Sequence, residues 1–382
     1  MRETSFMVNP NELRKSGILD IPLELSEVRG ISETAWNRLV RSLNGNFLHS
    51  FAWSRYCAGQ AGKARYIVVK PSGEAAAAGW YILSGRTLGS LSLIRHLHME
   101  TLPCYDPDKI TANDVLQCVY ALAVREGCAS ISFGNSPREF PASALHARIK
   151  EKISFSLDLQ RSEQELSEQL HVTHRRKIRK AASSGLVVRQ IADQEAFSLA
   201  DALDGLFEYT LCRHLAQGKE RSREQLCSMM DVVRELVVTD KAAVFAAFHD
   251  NAPVSCYVVS TFDRQAGNLF GASNAQGYAL NASYLLIWTI AKYFKDQGYI
   301  ALHLGEVPCE AADESDHNHG LYRHKTGFGA ATRPLCCGTI ILRPLSYTVM
   351  GEMSKWKNVA MTSGRLLVSW FADSIDPFMD ML

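Results

Sequence analysis

Apolar positions along this chain follow helical and strand rhythms in an order that occurs twice. In the first half, Trp36, Leu39, Val40 and Leu43 follow Ser32 at helical spacing and stop at Asn44-Gly45, which predicts a capped helix. A second short helix is expected over Phe51 to Cys57. Tyr66–Val69 and Ala76–Leu83 read as strands joined by Pro71-Ser72-Gly73, with Leu88–Ile94 as a third. Thr111 to Glu126 then carries Val115, Val119, Leu122 and Ala123 on one helical face, Gly127 closes it, and Cys128–Phe133 is a strand.

The second half repeats this order. Ser162 with Glu165 forms a capping box, and Leu166, Leu170, Ile178 and Ala182 mark the buried side of one helix running to Gly185. Further helices are expected over Asp193–His214 and Ser222–Val238, the latter with a Ser222/Gln225 box. Ala243–Phe248 and Val254–Thr261 make a hairpin about Asp250-Asn251, and Asn268–Ala272 adds a strand. Asn281 is the expected N-cap of a helix with Leu286, Ile290 and Phe294 on its apolar face. Gly298 stops that helix, and Tyr299–Leu304 forms a strand ending at Gly305. Gly127, Ile131, Phe133, Gly134 and Pro137 share their mutual spacing with Gly298, Leu302, Leu304, Gly305 and Pro308, which implies an internal duplication. The expected fold is α/β with mixed sheets in two domains, over residues 1–155 and 156–345, followed by a helical tail over 346–382.

Composition changes this picture little. Hydrophobic residues are 47% and charged residues 21% of the 382 positions, an ordinary globular balance. The net charge of +1 means that any polyanion must be held by a local patch. Ten cysteines are scattered without a C-x-x-C pair, so they read as reduced, buried hydrophobes, the vicinal Cys336-Cys337 included. The N-terminus has no apolar h-region, and no apolar run approaches the roughly 20 residues of a membrane span, so a soluble, cytoplasmic protein is expected.

Two stretches carry candidate chemistry. From His174 to Lys180 the cations Arg175, Arg176, Lys177, Arg179 and Lys180 stand without an acid among them. Like charges at i,i+4 repel by a few tenths of a kcal/mol unless an anion sits there, so the run reads as a phosphate-binding surface. The other stretch begins with a polar loop of Asp313, Glu314, Asp316, His317 and His319. It fixes no tetrahedral ligand spacing and reads as solvated, so no metal is assigned. The loop leads into a cationic turn, Leu321-Tyr322-Arg323-His324-Lys325-Thr326-Gly327-Phe328-Gly329, closed by glycines. His303 reads as a satisfied core histidine. No phosphate loop, nucleophile elbow, zinc helix or kinase signature is present.

Over about residues 40–340, these features resemble the FemABX-like aminoacyltransferases of the GNAT superfamily. Phe47-Leu48-His49-Ser50 with Trp53 is similar to the F-L-Q-S-x-x-W start. The basic helix, Gly271-Ala272-Ser273, Leu285-Leu286-x-Trp288 and the closing motif fit the second half, and Lys325 falls in the Y-x-F-K-x-x-F-G register. The chain departs from the pattern at His324, where phenylalanine is usual, and no acetyl-CoA pyrophosphate loop is recognisable around Gln276-Gly277. The resemblance implies two tandem GNAT-like domains and transfer of an activated aminoacyl or acyl group onto an amine. The donor it implies is an aminoacyl-tRNA or an acyl-CoA, and the acceptor could be nucleotide-linked or a cell-envelope precursor. A small-molecule N-acetyltransferase and a non-catalytic binding protein that kept the fold remain open. Such a reaction needs an oxyanion stabiliser and a proton acceptor. Lys325 is the expected stabiliser, with Tyr322 as proton donor or pocket wall and Glu306 as base. Arg323 and Ser273 join the five cations of the basic helix as expected substrate- and phosphate-binding residues.

Overall fold

Strand pairing dictates the architecture. The computed structural model describes residues 2–7, 23–61, 63–71, 73–88, 91–137, 147–216, 229–344 and 346–347. The first half runs β1 (Arg2–Met7), β2 (Glu24–Arg29), α1 (Glu33–Ser42), α2 (Phe51–Ala61), β3 (Ala64–Lys70), β4 (Ala77–Leu88), β5 (Leu91–Met99), β6 (Cys104–Tyr105), α3 (Ala112–Arg125) and β7 (Cys128–Pro137). The second opens with β8 (Ala147–Asp158), α4 (Glu163–Gln169), α5 (Val172–Ala182), β9 (Val187–Ile191), α6 (Asp193–Ser198), α7 (Ala200–Ala216) and α8 (Met229–Val232). It continues through β10 (Ala242–His249), β11 (Ala252–Phe262), β12 (Gln265–Ser273), α9 (Ala275–Ala279), α10 (Ala282–Asp296), β13 (Ala301–Pro308), α11 (His319–Thr326) and β14 (Ala331–Ile341).

All the strands join one sheet in the order β1-β2-β3-β4-β5-β7-β14-β8-β13-β12-β11-β10-β9, with β6 on β4. Counted outward from the central β14–β8 ladder, the two halves match as far as β2 and β9, and β1, with the short β6 on β4, extends the first half further. Each has one parallel pairing, β5 with β7 and β12 with β13, among antiparallel ones. The repeat expected from the sequence is therefore visible as topology: two tandem α/β units of the same strand order.

The last strand of each unit is exchanged. Strand β8, which follows β7 in sequence, pairs with β13 of the other unit, while β14 returns to pair with β7. The expected boundary at 155/156 falls inside β8, because that strand carries the chain across.

One core draws on both units. Trp36, Val40 and Trp53 of α1 and α2 cluster with Leu203, Leu206, Val232, Val244 and Val258. The remaining sheet faces are covered separately. Val115, Val119 and Leu122 of α3 pack on Leu97 and Ile131, and Leu286, Ile290 and Phe294 of α10 pack on Leu302 and Leu304.

Local signals act largely as expected. Ser32 accepts from Ala35 N–H, Thr111–Asp114 and Ser162–Glu165 form reciprocal capping boxes, and Gly127 and Gly298 take φ of +69° and +76°.

Several expectations need correction. Asn281 stands at the N-cap of α10 as expected, but at φ 57° and without a side-chain capping bond. The chain enters α10 from α9, whose cap Asn274 holds the Gly277 N–H. The helix expected over 162–185 breaks between α4 and α5, where the His171 N–H donates to the Gly327 carbonyl. The helix expected over 193–214 divides at Leu199, the C-cap of α6. The third strand is β5, later than the expected Leu88–Ile94. The cationic turn is the helix α11. The Ser222/Gln225 box and most of the tail lie outside the described residues.

Gly338 of β14 tests the exchange. A Cβ there would lie 2.5 Å from the Arg148 carbonyl oxygen of β8, so backbone would have to move. Gly338→Ala should cost roughly 2 kcal/mol or more. Because β14 belongs to both ladders, calorimetry should show one transition shifted as a whole. Two transitions with only one displaced would contradict a shared ladder.

Candidate functional site

Parallel strands β12 and β13 stay paired only from Gln265↔Ala301 to Gly267↔His303 and then part. In the first unit, β5 and β7 remain paired as far as Met99↔Phe133. There Ser130, His96, Ser132, His98 and Glu100 form an unbroken side-chain hydrogen-bond row. The parting of β12 and β13 opens a cleft of about 630 Å³. Its walls include Asn268–Ser273, Leu304–Glu306, Arg213 and His214 of α7, Tyr284 of α10, and His324 and Lys325 of α11.

Lys325 is buried at this junction. Its Nζ donates to the Glu306 carbonyl at 3.1 Å and lies 5.8 Å from the Phe155 ring centre. An ammonium out of water is costly without hydrogen-bond acceptors, which fixes where the side chain can sit. Gly305, at φ +79°, bulges beneath it, and a Cβ there would lie 3.2 Å from Nζ. The lysine thus reaches the cleft from the last turn of a helix, over a glycine that leaves it room.

The Glu306 side chain shares the cleft, with Oε1 3.8 Å from Lys152 Nζ. Lys152 also donates to Asn135 Oδ1 at 3.2 Å, which ties the first unit to the cleft wall. Tyr322 does not line the cleft; its ring meets Phe155 edge-on at 5.8 Å. Ser273 lines the cleft but is buried, with its Oγ 2.8 Å from Ser255 Oγ.

None of the five cations of α5 lines the cleft. Arg175 donates to the Ser167 and Glu168 carbonyls and so closes the end of α4, and Arg179 Nε donates to the Arg175 carbonyl. Lys177 Nζ donates to Tyr284 Oη at 2.7 Å, bringing one charge behind the cleft wall. Arg176, Lys180 and Arg323 are exposed.

An aromatic nest backs the cleft. His324 stands edge-on to Tyr284 at 4.5 Å and to Phe328 at 5.3 Å, while His174 Nε2 donates to the His324 carbonyl at 2.9 Å. A Cβ on Gly327 would strike the His174 ring, so this glycine, at a helical φ of −65°, is required by packing and not by a sharp turn. Burial, then the charges of His174, Lys325 and Lys177, lowers the His324 pKa to about 3. Burial likewise lowers His303, which bonds Gln265 at 3.0 Å, and raises the Tyr257 phenol.

His324, Tyr284, Arg213 and His174 were not singled out by the sequence reading. His324 had a signal, since it replaces the usual phenylalanine beside the lysine. The others sit in helices whose facing is decided only by packing. In the polar loop, Asp313 accepts from Ser315 and Asp316 from Asn318. No three potential ligands converge on a metal position among the described residues. No described helix is long and apolar enough to cross a membrane.

Residues 170–326 match the acetyltransferase (GNAT) domain family. No curated protein matches the chain. Among solved structures, FemX superposes with a TM-score of 0.64 at 13% identity, covering 85% of this chain and 99% of its own. A conserved Bacteroides thetaiotaomicron protein of unknown function gives 0.56 at 10% identity, covering 84% and 100%. The C-terminal domain of an Agrobacterium fabrum protein described as a lysylphosphatidylglycerol synthetase gives 0.51 at 16%, covering 72% and 84%.

The buried histidines set an acid limit on stability. His324 at about 3, and His49 and His96 at about 4, all lie below the ordinary 6.5. Below pH 6.5 the unfolded chain therefore binds protons that the folded one refuses. The contribution is full above 6.5 and is lost as pH falls toward 4. Each such histidine costs about 2 kcal/mol by pH 5. Urea midpoints should drop steeply between pH 6.5 and 5, and His324→Phe should make that drop shallower. An equal slope in the variant would show that His324 ionises freely.

Proposed function

We propose that this chain, a tandem GNAT-fold protein with an acetyltransferase (GNAT) domain over residues 170–326, is an N-acyltransferase that moves an activated aminoacyl or acyl group onto an amine. The observation that carries this reading is the buried Lys325 ammonium at the point where β12 and β13 part. An acyl carbonyl placed in the cleft would meet a fixed cation where its oxygen becomes negative. Such preorganised donors lower acyl-transfer barriers by about 3–4 kcal/mol.

An aminoacyl ester is the favoured donor. In the β12–α10 connection, where a GNAT pyrophosphate loop is expected, the Gly277 N–H is already taken by Asn274 Oδ1. A Cβ on Gly277 would lie 2.2 Å from the Val254 carbonyl oxygen, so the segment is packed against β11. The GNAT match supports acyl-CoA as the second reading. Arg176, Arg179 and Lys180, exposed on α5, suit the phosphates of a tRNA acceptor stem.

Two experiments test this. The protein is given a pool of aminoacyl-tRNAs or acetyl-CoA, with a lysine-bearing peptide as amine, and amide formation is followed by mass spectrometry. Lys325→Met should lower turnover about 100-fold or more with little change in melting temperature, and Lys325→Arg should not restore it. Parental turnover in the methionine variant would remove Lys325 from the chemistry.

Replacing Arg176, Arg179 and Lys180 by glutamine should weaken binding of the tRNA pool. The slope of log affinity against log salt should shrink by roughly two units. An unchanged slope would leave the α5 face as solvated surface.

A further inference from the structure

We propose that His324 accepts the proton of the attacking amine, as a cleft-lining imidazole standing one residue before Lys325. This inference rests on the acyl-transfer reading of the cleft and adds to it a base that the family register, with phenylalanine at this position, does not supply.

The geometry argues against a purely packing role. The ring fits an aromatic nest of Tyr284, Phe328 and His174, with centroids 4.5, 5.3 and 5.9 Å away. A phenyl ring would satisfy such a nest without burying nitrogen. Among the described residues, neither ring nitrogen of His324 has a hydrogen-bond partner, and neither is sealed in as His174 Nδ1 is. A ring nitrogen left open in this way can accept a hydrogen bond from a ligand's N–H in the cleft.

The titratable groups around it are His174 and Lys177 from α5, Tyr284 from α10, and Lys325 and Arg323 from its own helix, with Glu306 of β13 across the cleft. Burial first, and then the neighbouring cations, keep the imidazole unprotonated at neutral pH, so its lone pair is available. As the amine nitrogen bonds to the acyl carbon, the carbonyl pair moves to oxygen beside Lys325. The new anion offsets the Lys325 charge that repels a proton from His324, so the imidazole becomes a stronger base just as the nitrogen becomes cationic and acidic, and the proton passes to it. Collapse of the oxyanion breaks the bond to the leaving oxygen or sulfur, which takes that proton. The amide and the protonated leaving group are then complete, with no other reactant required.

The test uses the full chain, a pool of aminoacyl-tRNAs or acetyl-CoA as donor, and a lysine-bearing peptide as acceptor. His324→Phe keeps the aromatic nest. It should lower kcat by about 100-fold or more while leaving the KM for donor unchanged. His324→Ala opens space beside the cleft. Added imidazole should restore its turnover in proportion to concentration, following the free-base form of imidazole between pH 6 and 8. A packing role would show no such rescue.

Parental kcat in His324→Phe overturns the proposal. So does an alanine variant that still binds donor but is not rescued. Failure of the underlying reading looks different: the parent itself forms no amide with either donor, and Lys325→Met is equally inert.

Discussion

Where two parallel strands of a sheet stop pairing, their backbone groups and the space between them become available. The parting of β12 and β13 beyond Gly267↔His303 is the constraint from which the site follows. Sheet hydrogen bonds hold the strands together at one end, and the Gly305 bulge turns β13 away at the other. The Glu306 carbonyl at the parted end then accepts from the Lys325 ammonium. The lysine, the carboxylate of Glu306 and the neutral imidazole of His324 share one cleft because all three elements meet at this opening.

In the first unit the corresponding ladder runs one position further, to Met99↔Phe133, and His96 and His98 are bound into a serine and glutamate row across it. The first unit pairs with β14 through β7, and its Asn135 accepts from Lys152, whose Nζ also lies beside Glu306. Exchange of the terminal strands makes the units interdependent, since neither completes its sheet alone.

The electrostatics of the site come mainly from desolvation. Removing His324 from water disfavours its charged form, and the neighbouring cations push in the same direction. The His324 imidazole and the Lys325 amine stand side by side at the cleft wall. The five cations of α5 are spread over different tasks, from closing α4 to holding Tyr284.

The sequence by itself determined the alternation of elements, the capping boxes at Thr111 and Ser162, the left-handed glycines and the repeat. These depend on contacts within a few residues, so local chemistry is enough. It put Lys325 and Glu306 forward as candidates, the first through the register of the family it resembles and the second through its place just past a strand end. Tertiary structure decided the rest. It broke the expected helix at His171, whose N–H finds a carbonyl more than 150 residues away, on Gly327. It turned Tyr322 onto Phe155, sent the α5 cations away from the cleft, and exchanged β8 with β14. Strand partners and the facing of a helix are set by long-range burial and hydrogen bonding, which no local spacing encodes.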